Sequence, residues 1–148
     1  QTRAGKNLAK RCYHVGGDWN YSRIGIEMCE PSTIKYVGGS TWVDLDPVNT
    51  KKYITEVTAT AAKVFADLCR FHGISVSMIS THSEAHKLGH GSNHGDPEHL
   101  WKAIDYNIAK FRQDVQKILD GGSGDFFDNL SSAECSQIID KDYNKWNV

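Results

Sequence analysis

The longest regular pattern of apolar and polar positions has helical spacing. Between about Thr50 and His72 apolar residues recur every three or four positions, and Gly73 follows as a C-cap, so the pattern predicts a long amphipathic helix. The stripe expected to face the core consists of Ile54, Val57, Ala61, Val64, Phe65, Leu68 and Phe71. A second amphipathic helix is predicted before Gly121 and Gly122, with apolar positions at Ile104, Ile108, Phe111, Val115, Ile118 and Leu119.

Two shorter segments have the pattern of strands. In residues 21–29, Ile24 and Ile26 fall on one face and Glu27 on the other, which is typical of a strand with two different faces. Residues 74–81, ISVSMIST, are rich in β-branched side chains and short enough for a buried strand. This second strand would end just before His82.

The remaining segments complete a prediction of the fold. Turn residues between positions 30 and 47 surround the short apolar run IKYV and indicate a surface insertion with room for one edge hairpin. Helix followed by strand is the α/β alternation. We therefore predict a three-layer α/β domain over residues 1–120, with a mixed central sheet flanked by helices. Residues 121–148 begin with GGSGD, a flexible composition, and are predicted to be a linker and tail or the start of a further module.

Composition excludes some classes of partner. The 17 Lys and Arg residues nearly balance the 18 Asp and Glu residues, so no basic field for nucleic-acid binding is expected. No apolar run approaches the ~20 residues of a membrane span, and no signal peptide is visible. Four cysteines without a CxxC pair are predicted to be buried thiols: Cys12, Cys29, Cys69 and Cys135.

The chemistry is concentrated in residues 81–101, THSEAHKLGHGSNHGDPEHLW, which contain five of the seven histidines. Imidazole nitrogens and carboxylate oxygens are the ligands of catalytic zinc, and the glycines of this segment allow a loop to fold back on itself. Two alternatives stay open. One is a helix with histidines four residues apart, as in metalloproteases, although the order of residues and the glycines disfavour it. The other is a solvated loop without special chemistry.

Two motifs resemble a known family. HVGGDWNYSRIGIEMCEP is similar to a segment that type 2 N-acetylmuramoyl-L-alanine amidases share with peptidoglycan recognition proteins. HSEAHKLGHGSNHGDPEHLW resembles the zinc loop of the same family, in the form seen in amidases of Gram-positive bacteria and their phages. The motifs stand in the family's order, with a helix between them, and the resemblance covers roughly residues 12–120.

The resemblance implies roles for six residues. His82 and Asp96 match zinc ligands, and Glu27 matches the acid that orients and deprotonates the attacking water. His94 falls where the family places a basic side chain that steadies the oxyanion. His14 and Asn20 match residues near the substrate. The remaining histidines of the segment, His86, His90 and His99, are interpreted as loop residues or outer partners of the ligands.

Each of these assignments has a structural alternative. Glu27 is also consistent with a solvent-facing strand residue, and Asp96 with a turn or N-cap residue before Pro97. His94 is also consistent with a surface histidine, and His14 with a support for the Gly16–Gly17 turn.

The sequence departs from the family pattern before His14. Family members supply a further histidine ligand from a first strand, and thirteen residues are too few for that unit. We therefore expect either a separate N-terminal fragment or a second copy to complete the sheet, or His14 to replace the missing ligand.

The predicted function is zinc-dependent hydrolysis of the amide between N-acetylmuramic acid and L-alanine in bacterial peptidoglycan. The site of action would be the cell wall, reached by secretion or by phage lysis. The alternatives are a recognition domain that binds muropeptide without cutting it, and a zinc endopeptidase acting on the stem peptide.

Overall fold

The computed structural model describes residues 13–121, which form four α-helices and one two-stranded sheet. The strands are β1 (Ile34–Gly38) and β2 (Thr41–Asp44). The helices are α1 (Pro47–His72), α2 (His82–Lys87), α3 (Glu98–Trp101) and α4 (Ile108–Gly121). Short 3-10 helices occur at Asp18–Tyr21, Val76–Met78 and Lys102–Ile104. The described residues therefore combine α and β structure, and helix predominates.

The long predicted helix is confirmed as α1. It begins at Pro47 because the Asp46 side chain accepts the backbone N–H of Asn49 at 3.3 Å, and proline suits the first helical turn. Hydrogen bonds from Asn49 also lower the pKa of the Asp46 carboxyl. The helix ends at the predicted C-cap, Gly73, which has a left-handed φ of 64°.

The core lies between α1 and α4, with Trp101 at its centre. Trp101 is 2% exposed, stacks on Phe111 at 5.4 Å, and donates its indole N–H to Thr58 at 3.0 Å. The hydroxyl satisfies the indole donor, so this large side chain is buried without a lost hydrogen bond. The predicted core stripe of α1 is wrong for Phe71, which is 83% exposed in the last turn.

The second predicted helix is shorter than expected. It forms α4 from Ile108, whereas Ile104 belongs to a separate 3-10 helix. The two pieces are divided at Asp105, whose φ of 49° is left-handed and cannot continue an α-helix.

The surface insertion does form a hairpin. β1 and β2 pair in antiparallel fashion, with Tyr36 opposite Trp42. The indole N–H of Trp42 donates to the carbonyl of His99 at 3.2 Å. This bond attaches the hairpin to the histidine-rich segment.

Both predicted strands of the central sheet are corrected by the structure. Residues 22–30 have no regular secondary structure, and residues 74–81 contain the 3-10 helix Val76–Met78, capped by the Ser75 hydroxyl at the N–H of Ser77. A strand requires a hydrogen-bonded neighbour, and among residues 13–121 only β1 and β2 pair. The described part of the chain therefore lacks the predicted mixed central sheet, and the three-layer arrangement is not confirmed.

The cysteine prediction is right for one residue and wrong for another. Cys69 is buried, and burial raises the pKa of its thiol, but Cys29 is exposed. Cys12, Cys135 and the predicted linker and tail lie outside the described residues.

Candidate metal centre

A single cavity of about 1370 Å³ gathers the residues selected from the sequence. Its wall includes all six of them, namely His14, Asn20, Glu27, His82, His94 and Asp96. These positions are far apart in the chain, so the folding of two loops toward each other produces this arrangement.

His82 is placed by the start of α2 and not by a strand end as predicted. Thr81 is the N-cap, and Glu84 completes a capping box. The side chain of each residue accepts a hydrogen bond from the backbone N–H of the other. Arg112 of α4 contacts the Glu84 carboxylate at 2.8 Å and donates to the carbonyl of Ile79 at 2.9 Å. The first turn of α2 is therefore attached to the core. The sequence did contain a signal for this helix start, the T-x-x-E pattern from Thr81 to Glu84. The interpretation of residues 74–81 as a strand missed it.

Asp96 is placed by the turn that leads into α3. Next to it, the Thr81 hydroxyl donates to the Glu98 carboxylate at 2.5 Å, which links the starts of α2 and α3. Burial raises the pKa of the Glu98 carboxyl, although this hydrogen bond opposes the rise. Leu100 and Trp101 of α3 lie in the core, so the turn carrying Asp96 is anchored at its C-terminal side.

Three side chains in the cavity could share a metal ion. The donor atoms of His82, His94 and Asp96 all lie within 4.8 Å of one another. Nδ1 of His82 is 3.2 Å from one carboxylate oxygen of Asp96, and Nδ1 of His94 is 3.9 Å from the other. The structure thus brings the two ligands expected from the sequence together, and it adds His94 to them.

This donor set fits zinc. Ligand atoms about 2.0–2.2 Å from a tetrahedral ion lie about 3.3 Å from one another, close to the observed separation of His82 and Asp96. The rings of His82 and His94 stack at 4.7 Å with an angle of 19°, so their nitrogen lone pairs lie in two nearly parallel planes and do not meet at one ion. His94 must turn to point at a shared ion. Its side chain is 62% exposed, so little packing opposes that rotation.

The other predicted site residues occupy two different settings. Glu27 is exposed at the cavity wall. Asn20 is only 1% exposed, and its side-chain oxygen accepts the backbone N–H groups of His14 and Val15, both at 2.9 Å. Asn20 therefore supports the turn after His14. The amide nitrogen of Asn20 has no hydrogen-bond partner among the described residues.

The three remaining histidines of the segment lie outside the three-residue cluster. His86 donates from Nδ1 to the carbonyl of Gly91 at 3.2 Å. His90 stacks on Trp19 at 4.9 Å. His99 contacts the Tyr36 hydroxyl at 2.7 Å and donates to the carbonyl of Gly95. Each therefore has a partner among the described residues.

The loops 15–17 and 90–92 meet backbone to backbone. The N–H of Ser92 donates to the carbonyl of Val15 at 2.7 Å. A Cβ on Gly17 would lie 2.1 Å from the carbonyl oxygen of His90, and one on Gly91 would lie 2.9 Å from that of Val15. Only glycine fits at the closest of these contacts, because a backbone carbonyl cannot turn aside as a side chain can.

Replacement of Gly17 by alanine is therefore expected to destabilise the protein by about 1–3 kcal/mol, the range for overpacking. Thermal and urea unfolding would measure the loss. Gly38→Ala is the matched control, since nothing lies within 4 Å of a Cβ there, and its stability should stay within about 0.5 kcal/mol of the parent. Equal stability of the two variants would show that the loops do not meet.

Two imidazoles and a carboxylate in the wall of an open cavity could hold a metal ion, and they are donors of the kind that zinc hydrolases use. The particular family follows from the sequence. A family model described as N-acetylmuramoyl-L-alanine amidase matches residues 3–99, and the chain belongs to this family. The match spans all six predicted site residues and confirms the resemblance. No curated protein and no solved structure matches the chain.

Family membership makes amide hydrolysis the reaction class and cell-wall peptidoglycan the substrate class. Among residues 13–121 no helix is both long and apolar enough to cross a membrane.

Proposed function

We propose that this protein is a zinc-dependent hydrolase that cleaves the amide between N-acetylmuramic acid and the L-alanine of the stem peptide. One observation supports this most directly, the proximity of the donor atoms of His82, His94 and Asp96, which all lie within 4.8 Å of one another. A domain that only holds muropeptide needs no such set of donors.

In the proposed site, His82, His94 and Asp96 would hold the ion, and a catalytic zinc with three protein ligands keeps a further position for water. Zinc bound there would polarise the scissile carbonyl and lower the pKa of water toward about 7. This assignment revises the role expected for His94, because a nitrogen that binds the metal is not available as a separate oxyanion donor.

Glu27 is proposed as the general base. Its carboxylate is exposed on the cavity wall, where it can accept a proton from the attacking water and pass it to the departing amine of L-alanine. Apolar side chains on the same wall, including Ile24, Ile26 and Met78, offer contact area for the sugar and peptide. These residues would orient the amide between the acid and the metal donors.

The test is digestion of purified cell wall by the full chain. The protein should release new L-alanine amino termini. This release should stop when EDTA is added and resume when zinc is restored. Mass spectrometry of the fragments identifies the cleaved bond, so cleavage within the stem peptide would instead indicate an endopeptidase. A protein that binds zinc and cell wall yet releases no termini would be the recognition domain.

A further inference from the structure

Different elements contact the two ends of the turn that carries Asp96. After Asp96, the carbonyl of Pro97 accepts the N–H of Trp101 at 3.2 Å, and Trp101 is buried in the core. Before Asp96, Gly95 lies against the hairpin, since a Cβ on Gly95 would lie 2.9 Å from the hydroxyl oxygen of Ser40, between β1 and β2. The core therefore fixes one end of the turn, and the hairpin lies against the other.

His99 connects the hairpin to Gly95. Its backbone N–H donates to the carbonyl of Gly95 at 2.8 Å, and its Nδ1 lies 3.2 Å from the same carbonyl. A carbonyl oxygen only accepts, so Nδ1 donates this second bond. The other ring nitrogen, Nε2, lies 2.7 Å from the hydroxyl oxygen of Tyr36 on β1. Since a hydroxyl can donate or accept, this contact is open to a neutral and to a protonated ring.

The hairpin and its neighbour Glu30 enclose His99 from further directions. The indole N–H of Trp42 on β2 donates to the backbone carbonyl of His99 at 3.2 Å. The Glu30 carboxylate accepts the Tyr36 hydroxyl at 2.6 Å and lies 3.4 Å from Nε2 of His99. Tyr36 and Trp42 are paired across the two strands, and the side chain of His99 is only 10% exposed. One strand pair therefore holds both the ring and the backbone of His99.

The carboxylate of Asp96 depends on such support from its backbone. Its side chain is 42% exposed, so packing around the carboxylate does little to direct it. Its two oxygens lie 3.2 Å from His82 and 3.9 Å from His94. Distances in a metal site vary by only about 0.2 Å, so a shift of the turn would weaken zinc binding although every ligand is still present.

We propose that His99 is a positioning residue for the metal ligand Asp96, and that the Tyr36 hydroxyl on the hairpin holds His99 in this role. The proposal rests on the proposed function and deepens it, since it names the residues that fix one ligand of the metal. The hairpin then belongs to the metal site without supplying a ligand. A hairpin that only stabilised the fold would leave the zinc affinity of the folded protein unchanged.

The first test is zinc titration of Tyr36→Phe, which removes the hydroxyl and keeps the ring. Affinity should fall by about 10-fold, the lower end of the range for outer partners, because Tyr36 acts through His99. Tyr53→Phe is the matched control, since Tyr53 is 36% exposed against 40% for Tyr36 and lies outside the cavity. It should bind zinc as the parent does. Equal affinity of Tyr36→Phe and the parent would overturn the proposal.

Variants of His99 test the route. His99→Asn keeps a donor for Gly95 but has no atom to meet the Tyr36 hydroxyl, so Tyr36→Phe should cost no further affinity in this background. Additive losses would show that the hydroxyl acts by another route. His99→Asn should also bind zinc more tightly than His99→Leu, which keeps no donor. Equal affinities of these two variants would contradict the role of the bond to Gly95.

Amide hydrogen exchange of the metal-free full chain gives a readout that needs no zinc. In Tyr36→Phe the His99 N–H, bonded to Gly95, should exchange roughly 2–10-fold faster, the equivalent of one net hydrogen bond. The Trp101 N–H, at the other end of the turn, should exchange as in the parent. Equal acceleration of both amides, or of neither, would refute local positioning. His99→Asn replaces Tyr36→Phe in both measurements if the latter does not fold.

The outcomes separate this proposal from the proposed function. If the parent chain binds no zinc, the hydrolase proposal fails, while the exchange rates still decide whether the hairpin holds the turn of Asp96. If the parent binds zinc and cleaves cell wall but Tyr36→Phe retains full zinc affinity, only the positioning role is wrong.

Discussion

Removal of the Asp96 carboxylate is expected to abolish zinc binding and cell-wall cleavage together. Asp96 is the member of the cluster that lies near both histidines, at 3.2 and 3.9 Å, so its loss leaves two neutral donors and no compensating charge. Zinc affinity of Asp96→Ala should fall by more than the ~100-fold that loss of an outer partner causes. Calorimetric titration and the zinc content of the purified protein would measure it.

His86→Ala is the control for this experiment, because His86 belongs to the same segment but lies outside the cluster. Asp96 is 42% exposed, so its replacement should leave the fold intact, which circular dichroism can check. If the folded Asp96→Ala protein retains zinc, Asp96 is not a ligand of the metal.

His94→Ala separates the two roles considered for this residue. If His94 binds the metal, zinc affinity falls with activity. If it is instead an oxyanion donor, the variant keeps zinc and turnover alone falls by roughly 10²–10³-fold. The cluster geometry favours the first outcome.

Replacement of Glu27 by glutamine is expected to reduce turnover by about 10²–10⁴-fold, the usual contribution of a general base. Glutamine has nearly the same shape but cannot accept the proton. Because Glu27 is exposed and lies outside the metal cluster, zinc affinity and thermal stability should not change. Rates of release of L-alanine amino termini, with zinc content measured in parallel, would test this.

Glu56→Gln is the matched control, an exposed acid on α1 that lies outside the cavity. Its activity should equal that of the parent. A Glu27→Gln protein with parental turnover would show that another group, or water alone, accepts the proton.

Much of the site was predictable from the sequence because the signals were local. The histidine-rich segment and the segment HVGGDWNYSRIGIEMCEP identified six residues, and the structure places all six in one cavity wall. Their individual roles were less predictable. Asn20, expected near the substrate, lines the cavity and is also 1% exposed, with its side chain supporting the turn after His14, and that burial is not visible in the sequence.

The sequence by itself determined the family, the helix α1 with its caps at Asp46 and Gly73, and the types of side chain available to a metal. Helical periodicity and capping depend on residues within a few positions of one another, so they can be read without a fold. Tertiary structure alone decided that residues 22–30 and 74–81 are not paired strands, because a strand exists only with a hydrogen-bonded neighbour. It also decided that His94 joins His82 and Asp96 and that Ser92 lies behind His82, because these contacts form only when separate loops fold against each other.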